Sequence, residues 1–99
     1  MYVRCAPAAA CARSWASVFV TAYPERGKGP DLHLHPYPEL FVVQAGTAVF
    51  TAGDDEVTVE AGHIVVVPAE TPHMFKCAGD DTLRVVSVHP SGELQQTDL

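Results

Sequence analysis

Short runs rich in Val, Phe, Thr and Tyr, broken at close intervals by Gly, Pro and Asp clusters, predict an all-β domain built as a sandwich or barrel. Length and composition agree with one such unit. A chain of 99 residues with 47% apolar and 18% charged side chains suffices for a single core but not for a second domain. The expected strands are Trp15–Tyr23, Asp31–His35, Glu39–Gln44, Thr47–Ala52, Glu56–Glu60, Ile64–Val67, His73–Cys77 and Leu83–His89. Gly53-Asp54-Asp55 lies between two alternating runs and offers the positive φ of a hairpin, so the fourth and fifth strands are expected to pair directly. Arg26-Gly27-Lys28-Gly29-Pro30 reads as a flexible connection and Ala78-Gly79-Asp80-Asp81 as a second tight turn. Pro7 and its small neighbours discourage a helix, so residues 1–14 read as an arm, a frayed end or an added edge strand ahead of a body over residues 15–90. The polar tail, residues 91–99, reads as a short helix, a lid or a disordered segment.

Charge and apolar runs narrow the partners. Twelve acidic residues against six basic ones give a formal charge of −6, and no Lys/Arg stripe is present to neutralise phosphates, which argues against nucleic acid and anionic membrane. The longest apolar stretches, such as Ile64–Val67, fall far short of the roughly 20 residues of a membrane-spanning helix. Pro7 interrupts the segment from Cys5 to Ala12, which lacks the apolar core of a secretory leader, so a cytoplasmic location is expected. Cys5, Cys11 and Cys77 are odd in number and show no Cys-x-x-Cys spacing. Free thiols in a reducing compartment are expected, with a Cys5–Cys11 or interchain bridge as the alternative.

The residues that carry chemistry cluster around two prolines. His33 and His35 stand two apart in an expected strand, so both imidazoles leave the same face. Glu39 keeps that parity, although Pro36 and Pro38 must bend the chain between them. A carboxylate entering the apolar run Leu40–Val43 needs a partner. His73 opens a strand after the turn-forming segment Pro68–Pro72 and is the best fourth donor. Three imidazoles and one carboxylate suit one divalent transition metal, namely Fe, Mn, Ni, Cu, Co or Zn. Calcium and magnesium are disfavoured, since they prefer shells of oxygen alone. Four protein ligands leave one or two coordination positions open for water, dioxygen or substrate.

The spacing Gly27, five residues, His33, one residue, His35, three residues, Glu39, six residues, Gly46 resembles the first signature of the cupin superfamily at every defined position. Gly62, Pro68 and His73 meet the second signature, while Glu70 stands where the family usually has glycine and Cys77 where it usually has asparagine. The resemblance spans about Trp15 to His89. It implies a double-stranded β-helix, or jelly-roll β-barrel, with His33, His35, Glu39 and His73 as the metal ligands inside it. It also implies a homodimer and a small-molecule ligand or substrate. The activity expected from it is that of a metal-dependent dioxygenase acting on a small organic substrate. A metal-dependent isomerase or lyase, or a small-ligand-binding module without catalysis, are the alternatives, because a fold does not set a reaction.

Side chains around the ligands complete the reading. Phe41 and Val43 share the inward parity of Glu39 and Phe75 that of His73, which makes them core residues and candidate pocket walls. Tyr37, between two prolines, reads as a proton donor or gate, or else as a rim aromatic. Glu70 is the nearby carboxylate that isomerase chemistry would use as a base. Cys77 reads as a small buried thiol. His63, after a turn glycine, and His89, before Pro90, are both expected at the surface and outside the ligand set.

Overall fold

Among the residues described by the computed structural model, 15–99, the chain forms nine strands and no helix. They are β1 (Ser17–Tyr23), β2 (His33–Leu34), β3 (Glu39–Ala45), β4 (Thr47–Ala52), β5 (Asp55–Glu60), β6 (Ile64–Val67), β7 (His73–Cys77), β8 (Leu83–His89) and β9 (Thr97–Asp98). The expectations for residues 1–14, Cys5 and Cys11 included, lie outside the described residues. Two antiparallel sheets result, one of order β1-β8-β3-β6 and one of order β5-β4-β7-β2-β9. They face each other as a jelly-roll sandwich. The ladders do not close into a continuous hydrogen-bonded barrel.

Period-two alternation decides what each sheet buries. Glu39, Phe41 and Val43 of β3 point inward, as do Leu83, Val85, Ser87 and His89 of β8 and His73, Phe75 and Cys77 of β7. The core forms where the rows of β3 and β8 meet those of β7 and Ala48, Phe50 and Val59 of β4 and β5 in the facing sheet. Phe50 stacks on Phe75 with ring centres 4.8 Å apart and meets Phe41 edge-on at 5.0 Å. Cys77 is a free, buried thiol in this core.

The opposite alternation leaves the outer face of the β1-β8-β3-β6 sheet apolar. Two rows cross all four strands in register: Val18, Val88, Leu40, Val66 and, beside it, Val20, Val86, Val42, Ile64. Val20 is 75% exposed and Ile64 and Val66 are each 62% exposed.

Turn chemistry places the connections. β4 and β5 form the expected hairpin, with Ala52 opposite Asp55 and Gly53-Asp54 as the loop. Gly46, between β3 and β4, has φ 80°, and a Cβ there would come within 2.7 Å of the Thr82 carbonyl oxygen. Only glycine fits that approach. Two expectations differ from what forms. The second strand shrinks from Asp31–His35 to His33–Leu34, because the prolines at 30 and 36 cannot donate to a ladder. The tail, expected as a short helix, a lid or a disordered segment, contributes a strand: β9 pairs with β2, His33 opposite Asp98 and Leu34 opposite Thr97.

Candidate metal centre

Pairing across the strands brings the ligands together. β2 and β7 are antiparallel neighbours, with His33 and His73 as direct cross-strand partners. His35 follows just beyond β2 with the same inward parity. Glu39 opens β3 in the facing sheet, so the cluster lies between the layers. One side-chain donor atom from each of His33, His35, Glu39 and His73 lies within 4.8 Å of every other, and all four residues are buried.

The imidazoles are oriented by the backbone. Nδ1 of His33 lies 2.6 Å from the Asp31 carbonyl oxygen, Nδ1 of His35 2.7 Å from that of Gln95 and Nδ1 of His73 2.8 Å from that of Thr71. Each Nδ1–H donates to its carbonyl, which leaves the Nε2 lone pair free to face inward. Nε2 of His35 is 2.9 Å from Glu39 Oε1 but forms no hydrogen bond with it or with any other described group. A lone pair facing an anionic oxygen across that gap repels unless a cation lies against both. Nε2 of His73 is 3.1 Å from the same oxygen. Metal–ligand bonds of about 2.1 Å at right angles put neighbouring ligand atoms about 3.0 Å apart, so both separations match edges of a coordination shell. The donor set, its tautomers and its spacing fit a transition-metal ion.

Glu39 has a second anchor that the sequence reading missed. His89, expected at the surface, is 4% exposed and sits inside the cluster, its Nε2 2.9 Å from Glu39 Oε2. Tyr37 Oη lies 2.8 Å from His89 Nδ1 and accepts a hydrogen bond from the Gln95 backbone N–H at 3.3 Å. The tyrosine hydroxyl therefore donates to Nδ1, and Nε2–H of His89 donates to the carboxylate. One carboxylate oxygen is held away while the other faces the imidazoles. Inward parity with Leu83 and Val85 was the signal available for His89; the adjoining Pro90 suggested a surface end and masked it.

Electrostatics follow from this packing. In the metal-free protein burial pushes the Glu39 carboxyl upward, but donation from His89 and from His73 once protonated at Nε2, together with the positive charge that His89 and His35 carry when protonated, outweighs it and brings the pKa down to about 2. Burial pulls His73 down, yet its bonds to Glu39 and the Thr71 carbonyl leave it raised. His35 is lowered by burial, which its Gln95 carbonyl partner only partly offsets. The Tyr37 hydroxyl is raised, chiefly by burial.

A cavity of about 150 Å³ adjoins the cluster, and His33, His35, Glu39 and His89 line it. Phe41 and Phe75 line it, as do Phe19 and Tyr23 of β1 and Ser87 of β8. Val43 does not; it is core. Tyr37 is partly buried beside His35 and His89, stacked on His35 with ring centres 5.1 Å apart. Glu70 is exposed and away from the cavity wall, its backbone N–H bonded to the His35 carbonyl at 2.8 Å. It is not placed to act as a base. His63 is exposed, as expected, with Nδ1 bonded within its own turn to Glu60.

Comparison with known proteins agrees with the geometry. The family model of the cupin domain matches residues 19–89, more than half of the chain, and the chain belongs to the cupin family. No curated protein matches it. Among solved structures, oxalate oxidase in complex with the substrate analogue glycolate superposes with a TM-score of 0.77 at 18% identity, covering 86% of this chain and 46% of that one. Bacillus subtilis oxalate decarboxylase, a protein with Mn(II) centres, gives 0.77 at 21% identity, covering 85% of this chain and 24% of that one. An uncharacterized conserved protein with a double-stranded β-helix domain from Klebsiella pneumoniae gives 0.74 at 23%, covering 83% and 72%. The chain thus spans about half the length of the oxidase and a quarter of the decarboxylase. These likenesses establish the fold. Among the described residues no helix is long and apolar enough to cross a membrane.

Proposed function

We propose that this cupin holds one divalent transition metal through His33, His35, Glu39 and His73 and acts as a metal-dependent dioxygenase on a small organic substrate. The observation that carries the reading is the convergence of imidazole nitrogens and a carboxylate oxygen within 4.8 Å, each imidazole tied by Nδ1 to a backbone carbonyl. When bound, the ion supplies Lewis acidity and, if redox-active, an electron path to dioxygen. The protein's part is positional. Backbone carbonyls hold the imidazoles, His89 holds the carboxylate, and the aromatic walls exclude water beside them. That the Bacillus subtilis decarboxylase has Mn(II) centres supports a divalent ion. Isomerase or lyase chemistry would need a base besides the ligands, and the exposed Glu70 does not supply one.

Elemental analysis of protein purified without chelator is expected to find about one transition-metal ion per chain, lost in His73→Ala. Iron-, manganese-, nickel- or copper-loaded protein is expected to consume oxygen with a member of a panel of phenols, diketones, thiols and enols. No uptake across the panel, combined with tight ligand binding, would make the chain a binding module. Proton exchange of a substrate carbon in heavy water without oxygen would make it an isomerase.

We also propose that the apolar outer sheet face is covered by a second copy of the chain, since exposed apolar rows of this breadth mark an interface.

A further inference from the structure

We infer that the ligand of this cavity is a small phenolic or enolic compound, apolar in its body and oxygenated at both ends, and that Ser87 is the residue that orients its far oxygen. The inference rests on the metal-centre reading for the near oxygen and on Ser87 for the other.

Ser87 is 8% exposed and points inward from the middle of β8, its Cα partners being Phe19 on one side and Phe41 on the other. It lines the cavity one inward position along the strand from His89, a step of about 7 Å. Its hydroxyl makes no hydrogen bond among the described residues. The oxygen is reached from the cavity, so it needs no protein partner and is free to pair with an oxygen of a guest. Here the group faces the same space as the metal ligands, so a molecule spanning the cavity meets both.

Size and polarity of the walls define that molecule. A cavity of about 150 Å³ matches a guest about the size of benzene. Phe19, Tyr23, Phe41 and Phe75 supply rings along its length, and no Lys or Arg lines it. A dicarboxylate would lose its hydration against phenyl faces with no fixed cation at the far end. A phenol or enol presents an oxygen to the metal centre, lays its carbon skeleton on the rings and offers a second oxygen to Ser87.

The experiment uses the full chain loaded with Zn(II), which is redox-inert, so that binding is read without turnover. Zinc affinity is measured first, and its absence would sink the metal-centre reading; Ser87 is then tested on metal-free protein with the same probes. Phenol, resorcinol, hydroquinone and oxalate are titrated calorimetrically. At least one of the two diphenols is expected to bind the wild-type protein about fivefold more tightly than phenol, the worth of one net hydrogen bond. In Ser87→Ala that gain is expected to vanish while phenol and zinc affinities stay unchanged. The unfolding midpoint of Ser87→Ala should hold or rise, whereas a structural hydroxyl would lower it. A diphenol gain that persists in Ser87→Ala, or no gain in the wild type, overturns the role of Ser87. Oxalate binding as tightly as the phenols overturns the ligand class.

Discussion

Glu70 occupies a position for which its side chain is ill suited. At φ 61° it is the only non-glycine residue described with a left-handed backbone, in a turn whose N–H closes on the His35 carbonyl. The site is where cupins usually carry glycine, and the reason is now visible: a Cβ in this region is strained by about 1 kcal/mol. Glu70→Gly is expected to raise the thermal midpoint by about 5 °C and to leave metal affinity unchanged, which a melting curve and a zinc titration would check. His89 is the more consequential residue. His89→Phe keeps the aromatic packing on Phe19, whose ring centre lies 4.9 Å away, but removes the donor to Glu39 Oε2. Metal affinity should fall about 10- to 100-fold with the fold retained by circular dichroism. His89→Gln, which restores a donor, should recover part of the loss; equal affinity in wild type and His89→Phe would show that the carboxylate needs no such anchor.

The smallest strand bears directly on the site. β9 covers β2, and the segment leading to it brings the Gln95 carbonyl to His35 Nδ1 and the Gln95 N–H to Tyr37. Leu94 and Gln96 of the same segment are exposed yet line the cavity, so the tail forms its rim. A chain ended at Pro90 loses the partner that fixes the His35 tautomer. It is expected to stay folded, because its core rows are untouched, but to bind zinc about tenfold or more weakly. Unchanged affinity in calorimetric titration would reduce the tail to an ornament of the edge.

Titration and assembly belong to the molecule as a whole. With metal removed by chelator, Glu39 has a folded pKa of about 2 against an ordinary 4.5. Its contribution to stability is therefore complete above 4.5 and is lost as pH falls toward 2. His73 and His35 shift in opposite directions and oppose each other near neutrality, so the acid side is the informative one. Urea midpoints should fall from pH 4.5 to pH 2 more steeply than in Glu39→Gln, and parallel slopes would count against the carboxylate as the source. The outer sheet face predicts the oligomer: Val20→Lys combined with Ile64→Lys places two charges within one apolar row. Light scattering should report a dimer for the wild type and a monomer for the double variant. A wild-type monomer at all concentrations would remove the proposed interface.

Features that repeat every two residues are legible in the chain without its fold. Alternation marked the inward rows of β3 and β7, paired His33 with His35 on one face, and carried Glu39 to the same side. Turn residues placed the β4–β5 hairpin. Metal-ligating residue types at those positions made the candidate centre legible before any coordinates. Tertiary structure decided what depends on which strands become neighbours. Sheet order sets β1 beside β8 and thereby brings Phe19 and Tyr23 to the cavity; it places His89 against Glu39 and leaves Ser87 facing open space; it turns a polar tail into a rim. These are contacts between residues tens of positions apart, and local periodicity holds no information about them, because pairing partners are chosen by the packing of the whole sandwich.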